Sequence, residues 1–524
     1  MRARRLVAAL VGLLALLLAG CAPIPTGDGS GTGADSGAVG SGAVGIDPDA
    51  VIRYADTSGP SRFDPHRSST GHDIRYFAPV YDRLVHLSPD GDPVPGLATR
   101  WEWEDDGLTL RMDLREGVTF HDGTAFDASA VAANIDRGKT VAGSTVVEDL
   151  AVIEVVEVVD EHTVRLRLNQ RSSMLPGLLS HRAGAMISPA AFDSPDLDHT
   201  AVGTGFYRLV EYRPEDAAIY ERNDEYWDDS LVGARRIEVD ILPDEVTRMN
   251  ALRTGEVDVA ALNGRLAAEA AGVPGVTVHR APTLTYLVLY LNRARSEFGD
   301  VRVRQALNLA VDRQAIVDGI YFGAAQPSVQ PFPIGYSAYN PEYPADHYPH
   351  DPERARQLLA EAGLPDGFAF DMLVTARSPF TQVGEALQQM FREIGVTAQI
   401  RVVDPTHAAD LYYGQEDGDG LVAQWGGRPD PSMTLELQFT ADGYGNPGGH
   451  TTPRLEELHR RALDTVDPAA REALIQQATG ETVEQAFQLP IAVDEAVYAT
   501  TDRVVGFETF VTGQPDFRTL GLRR

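Results

Sequence analysis

The sequence predicts an α/β chain, and three stretches carry that prediction. Between Asp351 and Trp425, helix and strand patterns alternate, the order of a crossover α/β layer. Leu108, Leu110, Met112 and Leu114 alternate with Thr109, Arg111, Asp113 and Arg115, a period of two that reads as a strand with one buried face. Thr283 to Asn292 (TLTYLVLYLN) is almost continuously apolar, as expected of a strand covered on both sides. The 524 residues suffice for two or three domains with a substantial core.

The chain opens with basic Arg2, Arg4 and Arg5, an apolar run from Leu6 to Leu18, and Leu18-Ala19-Gly20-Cys21. This has the form of a lipoprotein signal peptide over residues 1–21, too short for a membrane span. Cys21 is the only cysteine, so no internal disulfide is possible, and its thiol is the expected lipidation site. Residues 22–48 are rich in Gly, Ser, Ala, Pro and Thr and read as a flexible tether. About 25 such residues have a root-mean-square reach of roughly 25–30 Å.

Folded structure is expected from near Asp49. Val51 to Tyr54 reads as a strand, followed by a helix from about Asp73 to Val85. After the strand at Leu108, Val118 and Phe120 start a short strand, Asp122-Gly123 is a turn pair, and Asp127 stands at a helix N-cap before Ala128, Val131 and Ile135. Ala151 to Val159 and Thr163 to Leu168 are strands around a turn at Asp160 to His162. Arg236 to Leu242 is a strand. Asp244 caps a helix carrying Val246, Met249 and Leu252, and Gly255 to Val259 turns into another strand. Asp300 and Asp312 cap successive helices. Pro352 opens a helix at its favoured first position. Strands at 368–374, 396–403 and 421–425 then alternate with helices at 381–394 and after Asp404-Pro405. A long helix over 469–488 precedes a last strand at 490–500.

The composition excludes some classes of function. Lys+Arg is 45 against Asp+Glu 76, a net charge of −31, and removal of the leader makes it three units more negative. Such a field repels nucleic acid and anionic lipid. Gly443-Tyr444-Gly445-Asn446-Pro447-Gly448 satisfies GxGxxG only on paper, because no strand feeds it and no helix follows. His347 and His350 form an HxxH pair in a Pro/Tyr-rich loop, without a third ligand. HExxH, P-loop and GxSxG motifs are absent, so no enzyme activity, cofactor or metal is expected.

Several motifs resemble one family. The order W-x-x-x-x-D-G-L-T from Trp101 is followed by L-R-x-G-V-x-F-x-D-G and by D-x-x-x-V from Asp127. Beside it stand Gly203-Thr204-Gly205-Phe206-Tyr207, Arg222-Asn223-Asp224-Glu225-Tyr226-Trp227 and the run from Asp300 to Arg313. Together they are similar to the peptide/nickel class (family 5) of extracellular solute-binding proteins, the receptors of ABC importers. Phe206 stands where proline is usual. The resemblance covers nearly all of residues 50–510. It implies a two-lobed periplasmic-binding-protein-like fold of the class II, peptide-binding type, with an extra subdomain in the first lobe. Lobe I would comprise 49–280 and 490–524, with the subdomain at about 86–205, and lobe II 281–489. It also implies capture of oligopeptides or dipeptides by a monomer in an interlobe cleft, lipid-anchored on the extracytoplasmic face of the cell membrane, and delivery to an ABC permease.

The ligand residues implied come mainly from Gln424 to Pro431. Trp425 is a candidate aromatic wall. Peptide-binding relatives carry a carboxylate three residues after the equivalent tryptophan, against the peptide amine. Here that place holds Arg428, which favours a carboxylate or another anion, and Asp430 is left as the candidate amine partner. Arg182 lies where nickel-type relatives carry an arginine, so a metal chelate or a small anionic solute is the alternative ligand. Tyr76, His72 and Tyr444 are further cleft candidates. A surface sensor or hydrolase reusing the fold is the alternative from a different class.

Overall fold

The computed structural model describes residues 46–524 except Val232 and Ser296. The leader, Cys21 and most of the tether lie outside the described residues. Ile46 already bridges Arg523, and the Asp47 amide donates to the Leu522 carbonyl at 2.9 Å.

One mixed sheet of eleven strands runs through the molecule. Its order is Thr397–Val403, Ala369–Thr375, Gly420–Trp425, Val276–Leu291, Leu489–Thr501, Val259–Ala261, Val51–Asp56, Arg236–Ile241, Ala217–Arg222, Tyr207–Arg213, with Ala325–Pro327 added beside Leu489–Thr501. The two long central strands, Val276–Leu291 and Leu489–Thr501, run antiparallel to each other. The expected apolar run is the second half of the first of them, and Tyr286 to Leu291 is buried throughout. The register slips between Pro282 and Tyr286, as a β-bulge does, at the middle of the pair.

Separate cores flank this pair. On one side Leu287, Leu289, Phe370, Met372 and Val422 pack with the helices Val301–Ala310 and Phe380–Glu393. On the other, Ile52, Tyr54, Phe63, Tyr76, Tyr220 and Ile237 form an aromatic-rich core. A second, four-stranded antiparallel sheet (Ala98–Glu104, Thr109–Leu114, Thr163–Leu168, Ile153–Asp160) packs with the helix Ala128–Thr140 around a third core. Aspartate caps set the helix starts. Asp127, Asp244, Asp312 and Asp351 each accept a backbone N–H of the first turn at 2.7–2.9 Å, a contact worth about 1 kcal/mol.

Three local expectations need correction. The helix foreseen over 73–85 shrinks to Ile74–Phe77, because Pro79 has no N–H to continue it, and Val85–Leu87 is a strand instead. Val118 and Phe120 are buried, but between the Asp122-Gly123 turn and its approach only one bridge forms, Thr119 to Ala125, and no strand. Leu108 and Val246 lie off the buried faces assigned to them, 40% and 50% exposed.

Candidate functional site

A cleft of about 870 Å³ lies between the four-stranded-sheet region and the loop that follows Gly420–Trp425. This is within the roughly 300–1,000 Å³ range of small-molecule sites. One wall carries Asp149, on the single helical turn Val147–Leu150, and His181 and Arg182, which follow the turn Leu175–Leu178. The other carries Arg428 and Glu436, around the start of the helix Pro431–Phe439. Met174, Leu178 and Met433 supply apolar surface.

The Arg428 loop is held by packing. A side chain at Gly427 would put its Cβ 2.0 Å from that of Leu284, so only glycine lets the loop lie against the central strand. The Arg428 guanidinium carbon then sits 4.8 Å from the centroid of the Trp425 ring, a cation–π stack. Arg428 makes no hydrogen bond or ion pair to a described residue. Across the cleft, an Arg182 terminal nitrogen donates to the Ser68 carbonyl at 2.7 Å, while its Nε is buried without a partner.

The charges in the cleft act on one another without closing into pairs. Burial draws the pKa of Arg428 down, and the Asp149 carboxylate pulls it back up. Arg182 is likewise lowered by burial, with Asp73 and Asp149 opposing and Arg428 adding to the shift. Burial raises Asp149 against the pull of Arg182 and Arg428. His181 falls well below the ordinary imidazole value, first through burial and then through Arg182, Arg83 and Arg428, so it is neutral at physiological pH. Burial also raises Glu436, and Asp430 raises it further. Asp149 has no hydrogen bond or ion pair to a described residue. Two guanidinium groups and the carboxylates of Glu148, Asp149 and Glu436 therefore face the same space, none of them in an ion pair with a described residue.

Of the residues singled out from sequence, the structure brings Arg182 and Arg428 together in this cleft. Trp425 is 8% exposed and does not line it; its indole N–H donates to Thr434 Oγ1 at 3.2 Å, and its ring supports Arg428 from beneath. Asp430 is also displaced from its expected role. It is 3% exposed, caps Pro431–Phe439 by accepting the Ser432 N–H at 2.8 Å, and takes Arg471 on both oxygens at 2.6 and 2.8 Å. Tyr76 is a core residue, 1% exposed, its hydroxyl donating to the Ser58 carbonyl at 2.7 Å. His72 contacts the same carbonyl and Asp56. Tyr444 stands in solvent, 58% exposed, leaning on Tyr413. Asp149 was missed because nothing in the sequence sets Glu148-Asp149 apart from the chain's many other acidic residues. His181 had a signal, its place beside Arg182.

Residues 92–446 match the family described as bacterial extracellular solute-binding proteins, family 5. The chain belongs to this family. The glutathione-binding protein GsiB of Salmonella paratyphi A is 30% identical over 444 residues, 82% of this chain and 86% of that protein. HbpA2 of Haemophilus parasuis superposes with a TM-score of 0.82 at 26% identity, covering 91% of this chain and all of that one. DppA of Helicobacter pylori, in complex with the peptide STSA, gives 0.74 at 25% identity, covering 91% of this chain and 98% of that one. These family 5 proteins share the two-lobed α/β fold of the peptide-binding type and are transport receptors, not enzymes. Among the described residues no helix is long and apolar enough to cross a membrane, and no group of three or more His, Cys, Asp or Glu is placed to hold a metal ion.

Proposed function

We propose that this family 5 protein captures a small peptide carrying more carboxylates than amines, of which glutathione is the first probe, and delivers it to the permease of an ABC importer. The observation that carries this reading is that Arg182 and Arg428 face one cleft with Asp149, beside Glu148 and Glu436, without pairing. The planar arginine fork suits a carboxylate, and Asp149 suits an ammonium group. The similarity to a glutathione-binding protein supports the same ligand chemistry. Lipid attachment at Cys21, with the tether expected over residues 22–48, would keep the receptor within reach of the permease.

The test is calorimetric titration of the mature protein, residues 22–524, with glutathione, beside native mass spectrometry of protein purified without added ligand. Saturable binding that weakens in Asp149→Asn and Arg428→Met supports the reading. A co-purifying adduct with a metal isotope pattern and no response to peptides would replace it with a chelate. Asp149 argues against that alternative, since a carboxylate-armed chelate would bring like charge against it.

A further inference from the structure

A second, smaller compartment of about 70 Å³ lies behind His181. At 10–15 Å³ per water it has room for roughly five waters. His181 lines both spaces, so the compartment adjoins the main cleft. Its walls come from the segment 74–87, from Ser180-His181 and from the C-terminal segment 510–518. Much of the wall is apolar, including Phe77, Phe206 and Phe510.

Nearly every charge in this compartment has a defined partner. Arg75 donates to Asp56 at 2.9 Å. Arg518 forks onto both oxygens of Asp516 at 2.9 and 2.8 Å. Asp82 accepts from Trp227 at 2.7 Å and from Tyr226 at 3.1 Å, with His86 at 3.1 Å. Arg83 is the exception. Its guanidinium makes no hydrogen bond or ion pair to a described residue, and its Nε is buried without a partner. Asp82 and Asp516 reach it only as fields, and burial outweighs them. Five N–H donors beside a void leave their acceptors to be supplied from outside the fold.

We propose that Arg83 is the anchor of an inner subsite that takes a carboxylate of the bound solute, carried on a short aliphatic spacer that passes His181. The planar fork matches a carboxylate through two parallel hydrogen bonds, and the aromatic walls cover the spacer. Neutral His181 presents no charge to the passing chain. This subsite deepens the cleft reading above and rests on it: the cleft takes one end of the ligand, and Arg83 takes an acidic group at the other.

The experiment compares glutathione with its two mono-amides, one at the glycine carboxylate and one at the α-carboxylate of the γ-glutamyl residue. Both are titrated against the wild-type protein, Arg83→Met and Arg83→Lys, with thermal melts to confirm folding. In the wild type, one amide binds roughly 10- to 100-fold more weakly than glutathione through loss of charge-assisted bonds to Arg83. In Arg83→Met that particular penalty disappears, and Arg83→Lys restores part of it. Amide penalties that are the same in wild type and Arg83→Met overturn the subsite while leaving the main cleft intact. If glutathione does not bind the wild type at all, the peptide reading of the cleft fails on its own. The subsite is then decided by crystals soaked in sodium bromide: an anomalous peak at the Arg83 guanidinium, lost in Arg83→Met, supports it, and water alone there overturns it. A misfolded Arg83→Met leaves the decision to Arg83→Lys and the wild-type bromide soak.

Discussion

Replacing Arg428 by methionine separates a binding role from a structural one, because the two make different demands on stability. Methionine keeps most of the side-chain length over the Trp425 ring and removes the charge. A hydrogen bond to a charged group in a partly desolvated site contributes about 1.5–3 kcal/mol, so glutathione affinity falls roughly 10- to 150-fold at 1.4 kcal/mol per decade. The free protein responds differently. It loses a cation–π contact worth about 0.5–1 kcal/mol and is relieved of a half-buried cation that burial disfavours and that lowers the pKa of Arg182. The two contributions oppose each other, leaving a melting temperature within about 3 °C of wild type for a chain of this size. Titration calorimetry and scanning calorimetry on the same preparation read both quantities. An unchanged Kd refutes the assignment of Arg428 to the ligand. A steep loss of melting temperature refutes it in another way, by making the residue part of the scaffold. Arg428→Lys, with the charge but not the fork, falls between wild type and Arg428→Met in affinity.

Asp430→Ala behaves in the opposite way to Arg428→Met: it leaves the largely buried Arg471 without its partner and removes a helix cap, costing about 3–5 kcal/mol, and a thermal melt shows a marked fall. Asp494 lies on the central strand Leu489–Thr501, bonded by the Gln424 amide, with one oxygen unpartnered, and burial pushes its pKa up to about 7. An acid whose folded pKa exceeds its unfolded value favours folding when protonated, so stability declines as pH climbs from about 4 to about 7; Asp494→Asn flattens that slope in denaturant titrations across the range. His121 is held at about 4, chiefly by burial. Its neutral form is the folded one, so stability falls as pH drops from about 6.5 to about 4, and His121→Gln reduces the loss on that acid limb.

Much of the fold was legible because its signals are local. Asp127, Asp244 and Asp312 announced their helices by cap chemistry, and the run from Thr283 to Asn292 announced the buried half of the sheet's longest strand. What failed was also local in cause but tertiary in outcome. Pro79 ends a helix whose apolar spacing continues past it, and Val246 sits on a helix whose buried face is chosen by neighbours distant in sequence. The site divided along the same line. Arg428 stood out as a cation at the place where a carboxylate is usual, and its position in the cleft follows from Gly427 pressing on Leu284. Asp430, two residues on, looked equivalent in sequence, yet helix capping and Arg471 claim its carboxylate. Asp149 is separated from Arg428 by 279 positions, and no periodicity or spacing links them. Arg83 lies in a segment that read as helical, so its unused donors appear only once the chain around it is folded.

The overall charge of the chain bears on how a solute reaches the cleft. The chain carries −31, and its cleft sets Arg182 and Arg428 beside Glu148, Asp149 and Glu436, none of them in an ion pair with a described residue. A ligand with net negative charge is therefore repelled by the whole molecule and attracted only at close range. At physiological ionic strength the screening length is about 8 Å, so the global repulsion is cut sharply while contacts inside the cleft are screened much less. Added salt should then raise the association rate constant of glutathione, the reverse of the usual behaviour of electrostatically steered pairs, and leave dissociation less affected. Stopped-flow measurements across a salt series follow both constants. An association rate that falls with salt would mean that the arginines act as a long-range funnel and that the acidic surface does not face the path of entry. A rising rate with slow, salt-insensitive release identifies Arg182 and Arg428 as short-range clamps, effective only after the solute has entered the cleft.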